Sequence, residues 1–550
     1  MQTTTNAALF QTSYSEALGA YRARKAIHTS GLVSPSSQST VDPAARYGYP
    51  IHLHPRFEEA VINSPDDLAV EGSGADGGRY RVLSMRVNDR CIYTSEAGGV
   101  VRQVDAESGK TLALYRGAKA PVPAFDFVNT DSEGERLLVT GSWDKALRVY
   151  RVVSPTSGKV QMCDPVAVVQ DAMIDFIKCV HVFKSADRTY IATAGSDKSI
   201  MLWDASPLTS SSTILQPLRS IHQSKPHTRP INVLTSLVGL DGTTRLYSAD
   251  SMGRVLEHVL NPATSRLEVV REITGFTTSV YDLRVGWTRV EVEGEESAGG
   301  GAGGDAFVSE VREDEEGARY KEVAELWGAS GDKSAAGYRL SPLLQPPSAA
   351  STGRSSSTQP PMGTQPPLTQ PHVRLAHDDF VKTVLPLSLY LASADAVVTG
   401  GSDEHLRLFP SPPSDEVHTV EAHWHEVSAL SLYIRSPTAH TTASTLPPPS
   451  TAPADQAAPA EAWIVSASLD GSIRRFRLTS IPRLPAPELV RPSAGEHSPT
   501  DQAWDQYSLP PASTANNRGQ DTVVGAGGGV QMTAEEEAEL AELMDSDDDE

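Results

Sequence analysis

Five aspartates recur along this 550-residue chain in one local setting. Asp144, Asp197, Asp332, Asp403 and Asp470 each follow a run of small residues and each precede Lys, Glu or Gly. A carboxylate beside an ammonium, as in Asp144-Lys145, Asp197-Lys198 and Asp332-Lys333, is a pairing that acid/base chemistry can use. His423 and His425 stand one residue apart and could be a pair of metal ligands. Neither reading finds support around it. No Gly-x-Ser-x-Gly elbow and no phosphate loop is present, and the glycine run 299–304 is a spacer without a following Lys-Ser/Thr. The Asp-Lys pairs therefore read as turn scaffolding, His423 as a structural imidazole and His425 as an exposed one. The chain reads as a non-enzyme, with no catalytic residue, no metal ligand and no cofactor expected.

The elements around these aspartates share one grammar. An apolar strand ends in small residues, the Asp opens a tight turn by accepting from backbone N–H groups, and a second strand follows. Six residues after the Asp comes an aromatic ring: Tyr150, Trp203, Tyr338, Phe409 and Phe476. Six is even, so the Asp and the ring share one side of the hairpin. Two weaker copies have Ala97 and Met252 at the Asp position, the second with His258 in place of the ring. The turn positions fall at 97, 144, 197, 252, 332, 403 and 470.

These motifs resemble the WD40 repeat family, whose blades end in a Trp-Asp pair that survives here once, as Trp203-Asp204. The resemblance covers residues 80–480 and extends to uncharacterised fungal WD40 proteins with an acidic C-terminal tail. Family blades run about 40–45 residues, and every spacing here is longer. The excess lies in Gly/Glu-rich 291–319, Pro/Ser/Thr-rich 341–370 and Pro/Ala/Thr-rich 436–461, which cannot bury enough apolar area to fold. The implied fold is all-β: a seven-bladed WD40-type propeller at 51–480 with long loop insertions, a disordered arm at 1–50, and a disordered segment at 481–550 that ends in an acidic helical tail. A strand must close the ring, and Arg56–Ile62 is the candidate, with the run at Glu488–Val490 as competitor. The family's Gly-His blade start is matched by Ala376-His377 and Ala422-His423, and more loosely by Pro226-His227. The resemblance implies buried hydrogen-bond chains through His377, Thr399 and Asp403, and through His423, Ser466 and Asp470.

The formal net charge is −22, concentrated in two places. Residues 533–550 hold ten acids and no base, and residues 291–325 hold twelve acids against three bases. Such a field repels phosphates, so no direct nucleic-acid partner is expected. No run of 18 apolar residues occurs, so no membrane partner is expected either. Cys91, Cys163 and Cys179 are odd in number and widely spaced, which suits free thiols in an intracellular setting, cytoplasmic or nuclear. The segment 13–27, with Arg22, Arg24 and Lys25 opposed only by Glu16, reads as a short surface helix or an arm. In the tail, Thr533 and Glu536 have capping-box spacing, and Leu540, Leu543 and Met544 form a narrow apolar stripe. Ser546, followed by three aspartates, resembles an acidophilic kinase site of the casein kinase 2 type.

The expected role is a non-catalytic protein-interaction scaffold, with Trp424 and Arg407 as candidate partner-binding residues. An alternative is a chaperone or assembly factor for basic clients, such as histones or ribosomal proteins, held by the acidic tail. A ubiquitin-ligase substrate adaptor is a further alternative. Against it, Trp203-Asp204 is followed by Ala205-Ser206 rather than by the Arg of a Trp-Asp-x-Arg motif, and no F-box pattern is evident.

Overall fold

The residue after each turn position decides the hairpin geometry. Gly99, Lys145, Lys198, Gly253, Lys333, Glu404 and Gly471 all adopt positive φ, from 61° at Lys333 to 81° at Gly253, the left-handed region. All but Lys333 donate their N–H to the carbonyl three residues back, which closes six equivalent turns. Non-glycine residues take this conformation at a cost of about 1 kcal/mol, and three of the seven are lysines.

The chain is described by a computed structural model over residues 17–22, 24–25, 48–52, 80–131, 135–154, 159–209, 218–261, 264–292, 305–313, 317–341, 366–391, 394–412, 416–435, 461–484 and 486–487. Two units divide it. Residues 25–488 carry every strand; the other unit, 1–24 with 489–550, contains among its described residues a helix at 17–22.

The strands form seven sheets, one per turn, antiparallel except that Gln161–Cys163 adds in parallel to the outer strand of the first. From the innermost strand outward, blade 1 is Val82–Asn88, Cys91–Glu96, Val101–Asp105 and Thr111–Tyr115; blade 2 is Ala124–Asn129, Arg136–Gly141, Leu147–Arg151 and Ala167–Val169. Blade 3 is Ile177–Ser185, Arg188–Gly195, Ile200–Asp204 and Arg219–Ser224; blade 4 is Ile231–Val238, Thr244–Asp250, Val255–Asn261 and Arg266–Ile273. Blade 5 is Val280–Glu291, Arg319–Ser330, Ser334–Arg339 and Val373–Ala376; blade 6 is Val381–Pro386, Val397–Gly401, His405–Phe409 and His418–Glu421. Blade 7 is Val427–Arg435, Glu461–Ser468 and Ser472–Arg477, completed by Tyr49–His52 from the start of the chain.

That last pairing closes the ring. Tyr49 to His52 run antiparallel to Arg475 to Ser472, so both ends of the propeller share one sheet and the closing strand supplies the outer strand of blade 7. The closing strand therefore begins two residues before the expected start of the propeller. The candidates Arg56–Ile62 and Glu488–Val490 lie outside the described residues. The expected insertions 291–319, 341–370 and 436–461 fall between consecutive strands of blades 5 and 7.

Burial follows the ring. Seven apolar clusters sit one at each blade junction: Trp203 and Leu147 between blades 2 and 3, for example, and Tyr338 and Tyr247 between blades 4 and 5. Each strand pair alternates its apolar side chains toward the neighbouring sheet. Every innermost strand except that of blade 2 slips register near its start, as between Ile177 and Cys179 or Val381 and Thr383. The extra residues left by these bulges are Leu83, Lys178, Asn232, Tyr281, Lys382 and Ser428, and all six line the central channel, a cavity of about 270 Å³.

Candidate partner-binding face

The seven turns and the connections that lead into each next blade lie at the same end of the ring. Buried polar chains fix this face from below. In blade 7, His423 Nδ1 lies 3.0 Å from Asp470 Oδ2, and Nε2 lies 2.8 Å from Ser466 Oγ. Asp470 also accepts from the N–H groups of Trp424 and Ser472. Both side chains of the His–Asp pair are 0% exposed. Burial works against the charged carboxylate, but the hydrogen bonds from His423 and Ser472 outweigh it and hold Asp470 far below its ordinary range. Burial drives the His423 imidazole down, toward its neutral form.

Blade 6 solves the same problem differently. His377 Nε2 bonds Thr399 Oγ1 at 2.8 Å and Nδ1 faces the Leu375 carbonyl, but Asp403 is not its partner. Asp403 instead pairs with Arg407 at 2.5 Å. The Arg407 side chain is 13% exposed and committed to that pair, so little of it is offered as a binding anchor. In blade 2, Arg148 grips Asp144 through both terminal nitrogens, and Asp144 also accepts from the N–H of Lys119. Asp332 faces Arg374 and accepts from Ser334, while Asp197 accepts from the N–H and hydroxyl of Ser199.

Two sequence assignments shift. Positive φ at Gly99 puts the blade 1 turn position at Gly98, not Ala97, because the left-handed residue must follow it. In blade 4, Met252 does occupy the turn position, but Asp250, two residues earlier, takes over the carboxylate's work. It accepts from the N–H groups of Met252 and Arg254 and pairs with His227 at 2.9 Å. His227 then reaches Ser248 Oγ at 2.7 Å, and Ser248 reaches His258 Nε2 at 2.7 Å, so the chain crosses the whole hairpin. Glu96 stands at the same offset in blade 1 and pairs with Arg102 at 2.6 Å. An acid two residues before the turn thus replaces the missing aspartate in both weak repeats. Where the leading His is absent, tyrosines reach the loop: Tyr150 donates to the Arg116 carbonyl and Tyr338 to that of Thr274.

In the channel, polar groups bridge blades. Asp126 lies 3.5 Å from Arg86 and 3.3 Å from His181, whose other nitrogen bonds Ser236 at 2.8 Å. Asp282 accepts from Thr383 at 2.8 Å, and Arg284 donates to the Leu430 carbonyl. Lys25, from the N-terminal side of the ring, is buried with its Nζ 2.9 Å from Glu404 Oε2.

A family model for the WD domain, G-beta repeat, matches residues 174–204, the third blade from its entry loop to Asp204. That match falls on one of seven such sheets closed into one ring. The chain folds as a seven-bladed WD40-type propeller. No curated protein matches it significantly in sequence. Among solved structures it is similar to the computationally designed Ika8 protein, at 13% identity and a TM-score of 0.41, with 73% of this chain and 98% of that one covered. WD40 propellers are in general non-catalytic interaction scaffolds.

On this WD40 face, Trp424 is half-buried with its N–H bonded to Asp470. Two apolar side chains that the sequence reading passed over stand out instead: Ile174 is 70% exposed and Met252 is 56% exposed. Only their placement on turns inside the repeat frame could have marked them. Leu540, Leu543, Met544 and Ser546 lie outside the described residues. Among the described residues no group of His, Cys, Asp and Glu could hold a metal ion, and no helix is long and apolar enough to cross a membrane.

Proposed function

We propose that this propeller is a protein-interaction scaffold whose binding surface is the turn face. The observation that carries the reading is a separation of roles. The His–Asp pairs that could do chemistry, His227–Asp250 and His423–Asp470, are sunk, with side chains at most 1% exposed and bonded to each other. The same face presents Ile174 and Met252 to solvent. Exposed apolar side chains on a rigid surface are what a protein partner covers. The three cysteines, all free thiols, support an intracellular setting.

The test is affinity purification of the tagged full-length chain beside an Ile174→Asp/Met252→Asp variant. Partners retained by the wild type should be lost from the variant. An unchanged set of partners would remove the turn face from the proposal.

The acidic run 533–550 supports a second reading, capture of a basic client such as a histone or ribosomal protein. Deleting it should abolish salt-sensitive binding to basic proteins, and unchanged capture would discard this role.

A further inference from the structure

We infer that the turn face of blades 2 to 5 docks an acidic protein segment that carries apolar residues. This inference rests on the scaffold reading and adds the chemistry of the partner.

Five cations stand on this part of the face: Lys119, Lys145, Lys198, Arg229 and Lys333. They sit on turns or entry loops of four consecutive blades, as Lys119 shows by bonding Asp144 through its N–H and Arg229 by following His227. Among the described residues none of the five is in an ion pair, whereas arginines nearby, such as Arg148, Arg254 and Arg374, are each paired with an acid. Lys145, Lys198 and Lys333 occupy the positive-φ position that blades 1, 4 and 7 give to glycine. Backbone strain is accepted three times to place an ammonium at the tip of a turn. The opposing carboxylates outside ion pairs are fewer than the cations: Asp171 is exposed, Asp175 spends one oxygen on the N–H of Phe176, and half-buried Asp197 accepts from Ser199.

Apolar surface lies among these charges. Ile174 projects from the loop whose Ala172 N–H bonds the Lys145 carbonyl. Beneath it Trp143 stacks on Phe176 with ring centroids 5.7 Å apart, and Lys145 Nζ lies 5.9 Å over the same ring. Met252 tops the blade 4 turn. Blades 6 and 7 lack these ammonium groups. In blade 6 the positive-φ residue is Glu404, buried and neutralised by Lys25, and in blade 7 it is Gly471. The face is therefore divided, with cationic turn tips in blades 2, 3 and 5 and none in blades 6 and 7.

Charge complementarity selects an anionic occupant, and charges farther than about 8 Å are largely screened at physiological salt, so the net −22 of the chain does not cancel a local patch. Nucleic acid would satisfy the lysines but would leave Ile174 and Met252 uncovered. A peptide with carboxylates interleaved by leucines satisfies both, and five cations on four blades call for an extended segment, not a single side chain.

Substituting glycine at the three strained positions removes charge while relaxing the backbone, so loss of binding cannot be ascribed to unfolding. Fluorescence anisotropy with the full-length chain would use a synthetic Glu/Leu peptide, its Lys/Leu counterpart and an oligothymidylate as probes. The wild type should bind the Glu/Leu peptide in a salt-sensitive manner. Lys145→Gly/Lys198→Gly/Lys333→Gly should bind it about tenfold more weakly, from three exposed ion pairs lost, and Ile174→Ser should also weaken it. No binding by the wild type, equal binding by the triple variant, equal binding of the Lys/Leu peptide, or tighter lysine-dependent binding of the oligothymidylate would each overturn the inference. Co-purification separates the two levels. If the triple variant keeps the wild-type partners, the acidic chemistry is wrong and the scaffold stands. If the wild type retains no protein beyond bare resin, the scaffold reading itself fails.

Discussion

Blades 2 and 7 place an aspartate at the same turn position and anchor it with different kinds of donor, a guanidinium and an imidazole. Asp144 is held by Arg148, four residues further along its own hairpin. Asp470 is held by His423, which comes from the entry loop 47 residues earlier and continues to Ser466. The first device ties a hairpin to itself with a permanent charge. The second ties the turn, the loop and the neighbouring strand together with a group that can give up its proton. Repeats that look alike along the chain therefore differ in how they fail.

The largest effect should come from stranding the permanent charge. Asp144→Ala leaves Arg148, whose side chain is 3% exposed, buried and unable to deprotonate, and should cost about 3–5 kcal/mol. Urea unfolding of the purified chain measures this. Asp144→Ala/Arg148→Met should recover most of the loss, because replacing a buried pair with apolar volume is often neutral. If the double variant is no better than the single, the charge is not what the deletion exposes.

This contrast was only partly legible in the sequence. The five turn aspartates, their aromatic partners and the seven-fold repeat follow from strand alternation and turn chemistry, which are local. Asp250 and Glu96 escaped because a fixed-position comparison looks for the acid at the turn, and a side chain two residues back can swing its carboxylate into the same space. The pairing of Arg148 and Arg407 with the turn aspartates escaped because the family pattern supplies a His for the Asp, and an Arg four residues on lies across the hairpin at equal reach. The closing strand, Tyr49–His52, is too short to show alternation, and its place depends on the far end of the chain. Ile174 and Met252 carry no pattern of their own. Exposure is a property of the assembled ring.

Asp470→Ala tests the other side of the comparison and should cost less, about 1–3 kcal/mol by the same measurement. His423 is already pushed toward its neutral form, so the deletion leaves unpaired hydrogen-bonding groups but no stranded charge. A loss as large as that of Asp144→Ala would mean that His423 is charged in the fold.

Titration sharpens the difference further. Burial, then the charges of His227 and Arg254, push His258 down to about 3; burial, then Arg407, pushes His377 down to about 4. Unfolded, both have ordinary values near 6.5. Their neutral burial costs nothing above that pH. As pH falls below it, the unfolded chain takes up protons that the fold refuses, so stability declines until pH passes through about 4 and then about 3. By pH 5 each should contribute a loss of up to about 2 kcal/mol. The carboxylates held low, Asp144, Asp250 and Asp470, keep their stabilisation through this window and lose it only below about pH 3.8. Urea midpoints at pH 7 and pH 5 should therefore differ, and less so in His258→Gln. An identical pH dependence in that variant would show that His258 is protonated in the folded chain.

The smallest effect concerns the turn tips, where blades 2, 3 and 5 depart from blades 1, 4 and 7. Lys145→Gly, Lys198→Gly and Lys333→Gly each exchange a strained left-handed residue for one that adopts positive φ freely. The gain, about 1 kcal/mol of relieved strain, is offset by the greater freedom of glycine in the unfolded chain, so each should leave stability unchanged or raise it by up to about 0.5 kcal/mol. Glu404→Gly, at the same φ, should do the opposite, because it strands the buried Lys25. Thermal melts of the four single variants would rank them. A loss at the lysine positions matching that at Glu404 would show that the lysine side chains support the fold, and that their charge is not held in reserve for a partner.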